Sequence, residues 1–132
     1  MASHLNMLAV DLGASSGRVI LGKYNGCKLN IEEINRFSNL PVSTNRVLYW
    51  DLLGLYREIK QDFKIAGENK QSSIASVGID TWGNDFGLLD KKGKLLSNPV
   101  HYRDNRTLGM MEKVFEIIPR ESVFKLLGHI GF

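Results

Sequence analysis

The segment Asp11-Leu12-Gly13-Ala14-Ser15-Ser16-Gly17-Arg18 concentrates residue types that handle phosphate. An aspartate ends an apolar run, small residues follow, and an arginine opens the next run. Glycine at both ends admits backbone angles that other residues avoid and leaves room for a phosphate to approach backbone N–H groups. Ser15 and Ser16 add hydroxyls, and Asp11 offers a hard carboxylate for a magnesium ion held through waters. The glycine spacing fits neither a Walker loop nor a dinucleotide fingerprint. The same residues would also make a plain small-residue hairpin with a capping aspartate, and composition alone leaves both readings open.

A second segment, Gly78-Ile79-Asp80-Thr81-Trp82-Gly83-Asn84-Asp85-Phe86-Gly87, sets two carboxylates, a tryptophan and three glycines at the end of a strand-like run. Ligands of open sheets bind at such ends. An indole face suits the apolar C–H patches of a sugar; otherwise Trp82 fills core volume and Asp80 caps a turn. The third segment is His101-Tyr102-Arg103-Asp104-Asn105-Arg106-Thr107. Here Arg103 is placed to grip a polyol or phosphate, or Asp104 is simply an N-cap with Arg103 and Arg106 on the surface. Asp11, Glu58 and Asp80 also follow the chain order of a two-metal nuclease. Glu58 lies about 100° around its helix from the core residue Ile59, however, which points it along the solvated flank.

The elements that must position these residues are legible from periodicity. Leu5–Leu12, Arg18–Tyr24 and Lys28–Phe37 read as an antiparallel meander, with Asn25-Gly26 as a two-residue hairpin turn. Residues 38–49 read as a loop. Leu52, Tyr56, Ile59, Phe63 and Ala66 recur at helical spacing, with Asp51 as N-cap and Gly67 as terminator. Gly54 weakens that helix slightly. Ser73–Thr81 reads as a buried strand, and Phe86–Asp90 as a second short one before a turn at Lys92-Gly93. Leu108, Met111, Phe115 and Ile118 make another helical stripe, capped by Asp104 or Asn105. Pro119 ends it and opens a last short helix over 120–127, closed by Gly128.

This is an α/β order: three-strand meander, helix, further strands, C-terminal helices. It resembles the first half of the ribonuclease-H-like architecture, a mixed sheet with helices on its faces. The closing Gly128-His129-Ile130-Gly131-Phe132 reads as a chain cut within a domain.

Composition narrows the class. The 132 residues are 43% hydrophobic and 23% charged with a net charge of +3, which excludes disorder and low-complexity architectures. Seventeen basic and 14 acidic residues are spread along the chain, so no basic stripe calls for nucleic acid. The densest basic stretch, Lys91-Lys92-Gly93-Lys94, reads as a solvated turn. One cysteine, Cys27, excludes a disulfide framework and points to a reducing compartment, so a cytoplasmic location is expected. Apolar runs fall far short of the ~20 residues that span a bilayer, and no membrane partner is expected. The first residues lack the basic-then-apolar order of a signal peptide.

The run Val10–Val19 resembles the first phosphate-binding loop of the FGGY family of carbohydrate kinases, within the actin/hexokinase/Hsp70 superfamily. Gly78–Phe86 and Tyr102–Thr107, with Arg36-Phe37 and Leu48-Tyr49-Trp50-Asp51 between, are similar to its rhamnulokinase branch. Asn84 stands where that branch has an apolar residue, and Asn105 where serine is usual. The likeness runs from Leu8 to the chain's end.

The resemblance implies an actin-like ATPase fold, with 1–132 as the first part of the N-terminal kinase domain and the rest of that domain and the C-terminal domain absent. It implies ATP and Mg2+ as cofactors and a small sugar as substrate. Asp11 would organise magnesium, and Gly13, Ala14, Ser15, Ser16, Gly17 and Arg18 would meet the phosphates. Thr81, Trp82 and Gly83 would line the sugar pocket, supported by Tyr102 and Arg103. The catalytic base is expected beyond residue 132, so these residues alone should not turn over. The implied reaction is phosphorylation of L-rhamnulose on its 1-hydroxyl; kinases for L-fuculose or D-xylulose share the loop and remain alternatives. A non-catalytic binding module is the other alternative, with self-association through surface left uncovered.

Overall fold

The computed structural model describes residues 4–68 and 73–128. It divides into two compact units, Met1–His101 and Tyr102–Phe132. The last residues, 129–132, on which the reading of a cut chain rests, lie outside the described residues.

The first unit is built on a four-stranded sheet in the order β3-β2-β1-β6. β1 (Leu5–Leu12), β2 (Ser16–Tyr24) and β3 (Leu29–Ser38) form the expected meander. β6 (Ile74–Thr81) lies parallel to β1, with Leu12 opposite Thr81, so the two strands end level. Between them the chain crosses over through α1 (Leu52–Glu68). Leu8 and Val10 of β1, Val19 and Leu21 of β2 and Phe37 of β3 form the core with Leu55 and Ala66 of α1. Alternation along the strands therefore assigns Met7, Ala9 and Asp11 to the face opposite the helix.

α1 starts as expected: the Asp51 carboxylate accepts from the Gly54 N–H at 2.9 Å. A Cβ on Gly54 would lie 2.7 Å from the Asp51 Cγ. The glycine thus makes room for the cap that begins the helix. Gly67 does not terminate α1, which continues through Glu68. The buried stripe is also rotated from the expected one. Tyr56 is 61% exposed and Leu52 is exposed, whereas Leu55 and Asp62 are buried. The helix turns Asp62 inward because its Oδ1 accepts from Asn35 Nδ2 of β3 at 2.9 Å.

Residues 38–49 are not all loop. β4 (Val42–Thr44) and β5 (Val47–Tyr49) form a hairpin, and its two turn residues, Asn45 and Arg46, have φ of 50° and 64°. The turn after β2 is longer than two residues: 25–28 are linked by Asn25 N–H to the Lys28 carbonyl, and the Asn25 side chain accepts from Cys27 and Lys28 N–H. Phe86–Asp90 is no regular strand but a single bridge, Leu89 to Leu95. The lysine-rich stretch beyond it is a turn, closed where Asp90 Oδ1 accepts from the N–H groups of Lys92 and Lys94.

In the second unit Asp104 caps a 3₁₀ turn, Asn105–Thr107, rather than a helix. Gly109, at φ 71°, then interrupts the chain before α2 (Met110–Ile117). α3 (Arg120–Leu127) begins after Pro119 and is closed by Gly128 at φ 73°, as expected. No helix among the described residues is long and apolar enough to cross a membrane.

Candidate functional site

β1 and β6 deliver two of the three candidate segments to one end of the sheet. After β1 the chain turns over 13–15, where the Gly13 N–H donates to the Ser16 carbonyl at 2.9 Å. The turn is braced from β3's far end. The Asn39 N–H donates to the Ser15 carbonyl at 3.0 Å, and its Nδ2 donates to the Gly13 carbonyl at 2.7 Å. Asn39 is only 2% exposed. Ala14 and Ser15 stay exposed at the tip while Ser16 and Gly17 are drawn into β2.

Neither Gly13 nor Gly17 uses the left-handed backbone freedom expected of them. Gly17 is required for packing instead: a Cβ there would lie 2.5 Å from Cζ of Phe37, its cross-strand partner.

Strand register creates a feature invisible in the sequence. Asp80 of β6 pairs with Asp11 of β1, Asp11 with Arg18 of β2, and Arg18 with Arg36 of β3. Directly paired residues share a face, so two carboxylates and two guanidiniums form one row across the sheet, opposite α1. Arg18 Nε donates to Asp11 Oδ2 at 2.7 Å, and Nη2 donates to the same oxygen. Both side chains are about 40% exposed (41% and 39%), leaving the pair open to a competing ligand. Arg36 is held by Glu33 at 2.6 Å. That bond and the Glu33 charge raise its pKa above the ordinary arginine value. The row presents cations for phosphate beside oxygen donors of the kind Mg2+ takes.

Glu58 does not join it. It sits on α1, against the opposite face, and Arg57 Nη2 approaches its Oε1 at 3.2 Å. Among the described residues no group of three or more His, Cys, Asp or Glu side chains could hold a metal together. The two-metal nuclease reading therefore has no converging third carboxylate. Glu58 instead lines a cleft of about 270 Å³ with Asp51, Arg57, Ser38 and Asn39.

Thr81, the last residue of β6, and Gly83 beyond it are exposed, and Trp82 between them is half-buried. Around them lies a cluster that sequence reasoning did not find. Trp50 is 1% exposed, with its ring centroid 4.2 Å from that of Trp82 and 4.1 Å from that of His101. Both indoles donate Nε1–H to one oxygen, Asp85 Oδ2, at 2.7 Å from Trp50 and 2.8 Å from Trp82. The one available signal was that buried indoles require an acceptor and that an aspartate lies three residues after Trp82. Trp50's share in it could not be read from spacing. Tyr102 and Arg103 open the second unit, where the guanidinium lies 5.2 Å from the Tyr102 ring centroid.

Comparison with known proteins places these observations. The family described as the FGGY family of carbohydrate kinases, N-terminal domain, matches residues 6–131. The chain is 49% identical over 123 residues to a rhamnulokinase of Bacteroides thetaiotaomicron, covering 93% of the chain and 25% of that protein. It is 48% identical over 121 residues to a rhamnulokinase of Oceanobacillus iheyensis, covering 92% and 26%. It thus spans about a quarter of the length of these curated relatives. Among solved structures it is similar to gluconate kinase from Lactobacillus acidophilus, with TM-score 0.75 and 13% identity, covering 93% of this chain and 25% of that one. It is also similar to Plasmodium falciparum glycerol kinase with ADP, with TM-score 0.68 and 18% identity, covering 95% and 26%. At these identities the likeness is one of fold, that of the sugar kinases.

Proposed function

Because the chain belongs to the FGGY family of carbohydrate kinases, we propose that the intact protein transfers the γ-phosphoryl group of ATP to the 1-hydroxyl of L-rhamnulose. In this reading residues 1–132 are the first part of its N-terminal domain. The observation that carries it is the parallel pairing of β1 with β6, whose ends coincide at Leu12 and Thr81. A loop of phosphate-binding type and a Trp-Gly segment suited to a sugar therefore leave the sheet side by side. The 44–49% identity to rhamnulokinases supports the choice of sugar.

Ala14, Ser15 and Ser16 would supply N–H and hydroxyl donors, and Arg18 charge, to the phosphates. Gly13, whose own N–H is taken by the Ser16 carbonyl, and Gly17, buried in β2, would shape the loop around them. Asp11, with Asp80 beside it, would hold a hydrated Mg2+, which supplies neutralisation of phosphate charge. Thr81, Trp82 and Gly83 would contact the ketose. Phosphoryl transfer asks mainly for such positioning and charge stabilisation, with a base to take the hydroxyl proton.

The test is ketose-dependent ADP release by the full-length protein with L-rhamnulose, L-fuculose and D-xylulose. Highest kcat/KM for L-rhamnulose is expected; no ketose-dependent release, or a clear preference for another sugar, overturns the reading. Gly83→Ala gives a cleaner local check. A Cβ there meets nothing within 4 Å, so melting should hold while ketose KM rises. An unchanged KM removes Gly83 from the sugar site.

A further inference from the structure

We propose that Asp85 is a positioning residue for ketose recognition, acting through a clasp that fixes Gly83; this rests on the sugar-kinase reading above. Gly83 has no side chain to anchor itself, and a Cβ on it would touch nothing. Left to its own propensities, a glycine in an exposed turn samples many backbone conformations. Here the residues around it are tied. Trp82 Nε1–H donates to Asp85 Oδ2 at 2.8 Å, closing a side-chain loop around Gly83 and Asn84. The same oxygen accepts from Trp50 Nε1–H at 2.7 Å.

Trp50 is the fixed end. It is fully buried, stacks on His101 at 4.1 Å with a 30° interplanar angle, and its N–H donates to the Pro99 carbonyl at 2.9 Å. Asp85 transmits that fixity to Trp82. Both bonds are charge-assisted, stronger than an amide oxygen would make. Because the two indoles share one oxygen, losing Trp50's donor leaves the Asp85 carboxylate, among the described residues, hydrogen-bonded to the residue it is meant to hold and to no fixed partner. The clasp joins the end of β5 to the segment after β6, so the peptide groups of Trp82 and Gly83 are held ready before a ketose arrives. Nothing in this linkage reaches the 13–16 loop, so the effect should be confined to the sugar.

The experiment is steady-state kinetics on the full-length protein, varying L-rhamnulose and ATP separately, for wild type, Asp85→Asn, Asp85→Ala, Trp50→Phe and the Asp85→Ala/Trp50→Phe double variant. A misplaced binding group costs on the order of tenfold to a hundredfold, so ketose KM should rise that much in Asp85→Ala. It should rise less in Asp85→Asn, which keeps a neutral acceptor, while KM for ATP stays within about twofold. The double variant should be no worse than Asp85→Ala, since Trp50's hydrogen bond acts through Asp85. Should Asp85→Ala fail to fold, Asp85→Asn and Trp50→Phe, checked by thermal melting, carry the same comparison.

Equal effects on both substrates, unchanged ketose KM in folded variants, or multiplicative effects in the double variant overturn the clasp while wild-type turnover leaves the kinase reading standing. Absence of any ketose-dependent turnover in wild type overturns that reading, and the clasp with it.

Discussion

A methyl group added at Gly17 would press into the Phe37 ring and sit 3.0 Å from Leu12 Cδ2 as well. Both neighbours belong to the packed face under α1, and overfilling such a site costs about 1–3 kcal/mol. Gly17→Ala should therefore lower stability by that amount in chemical denaturation; an unaltered midpoint would show that the ring moves aside freely. Asp62 poses the opposite problem. It is 0% exposed, and its Oδ2 is buried with no hydrogen-bond partner among the described residues. Its one bond, from Asn35, satisfies the other oxygen. Asn35→Val strips that as well and should cost about 1–3 kcal/mol, whereas adding Asp62→Leu removes the stranded carboxylate and should recover most of it. Denaturation of the two variants decides this: a double variant no more stable than Asn35→Val would mean that the carboxylate has favourable contacts beyond Asn35.

The β4–β5 hairpin turns on two residues with positive φ, a conformation that suits Asn45 but not Arg46. Left-handed backbone costs a non-glycine residue roughly 1–2 kcal/mol, and glycine returns about half of the saving as chain entropy. Arg46→Gly should thus gain about 0.5–1 kcal/mol, seen as a higher melting temperature; no gain would mean that Arg46 makes compensating contacts. The same hairpin shows what a sequence can and cannot disclose. Strands three residues long carry no periodicity, and Asn-Arg is not a turn signal. The meander, the Asp51 cap, the strand character of β6 and the Pro119–Gly128 helix were legible because each depends on neighbours close in sequence. The burial expected of β6 was not borne out, since seven of its eight residues are exposed. The inward turn of Asp62 was not, since its reason is Asn35, 27 residues away. The candidate phosphate and sugar segments could likewise be picked out by residue type, and resemblance narrowed them to a family. The brace from Asn39, the Asp80–Asp11–Arg18–Arg36 row and the Asp85 clasp needed strand register and loop placement.

At the scale of the molecule, α1 covers the β1–β3 side of the sheet's core face and leaves β6 bare beyond Ile74. Val77 and Ile79 pair with Leu8 and Val10 and so share their face, yet they are 49% and 62% exposed. β6 is also a sheet edge, and an apolar edge strand invites pairing with another chain. The 132-residue chain should self-associate with rising concentration in sedimentation velocity, and Val77→Lys/Ile79→Lys should shift it toward monomer. Monomer at all concentrations would show that this edge is not sticky. The paired indoles carry a different consequence. Trp50 and Trp82 are the two tryptophans of the chain, and with ring centroids 4.2 Å apart they absorb light as one coupled chromophore rather than two. Such coupling splits the transition into a circular-dichroism couplet that vanishes when either ring swings away. The chain thus carries its own optical gauge of whether the segment after β6 is docked on the β5 end, readable without a label.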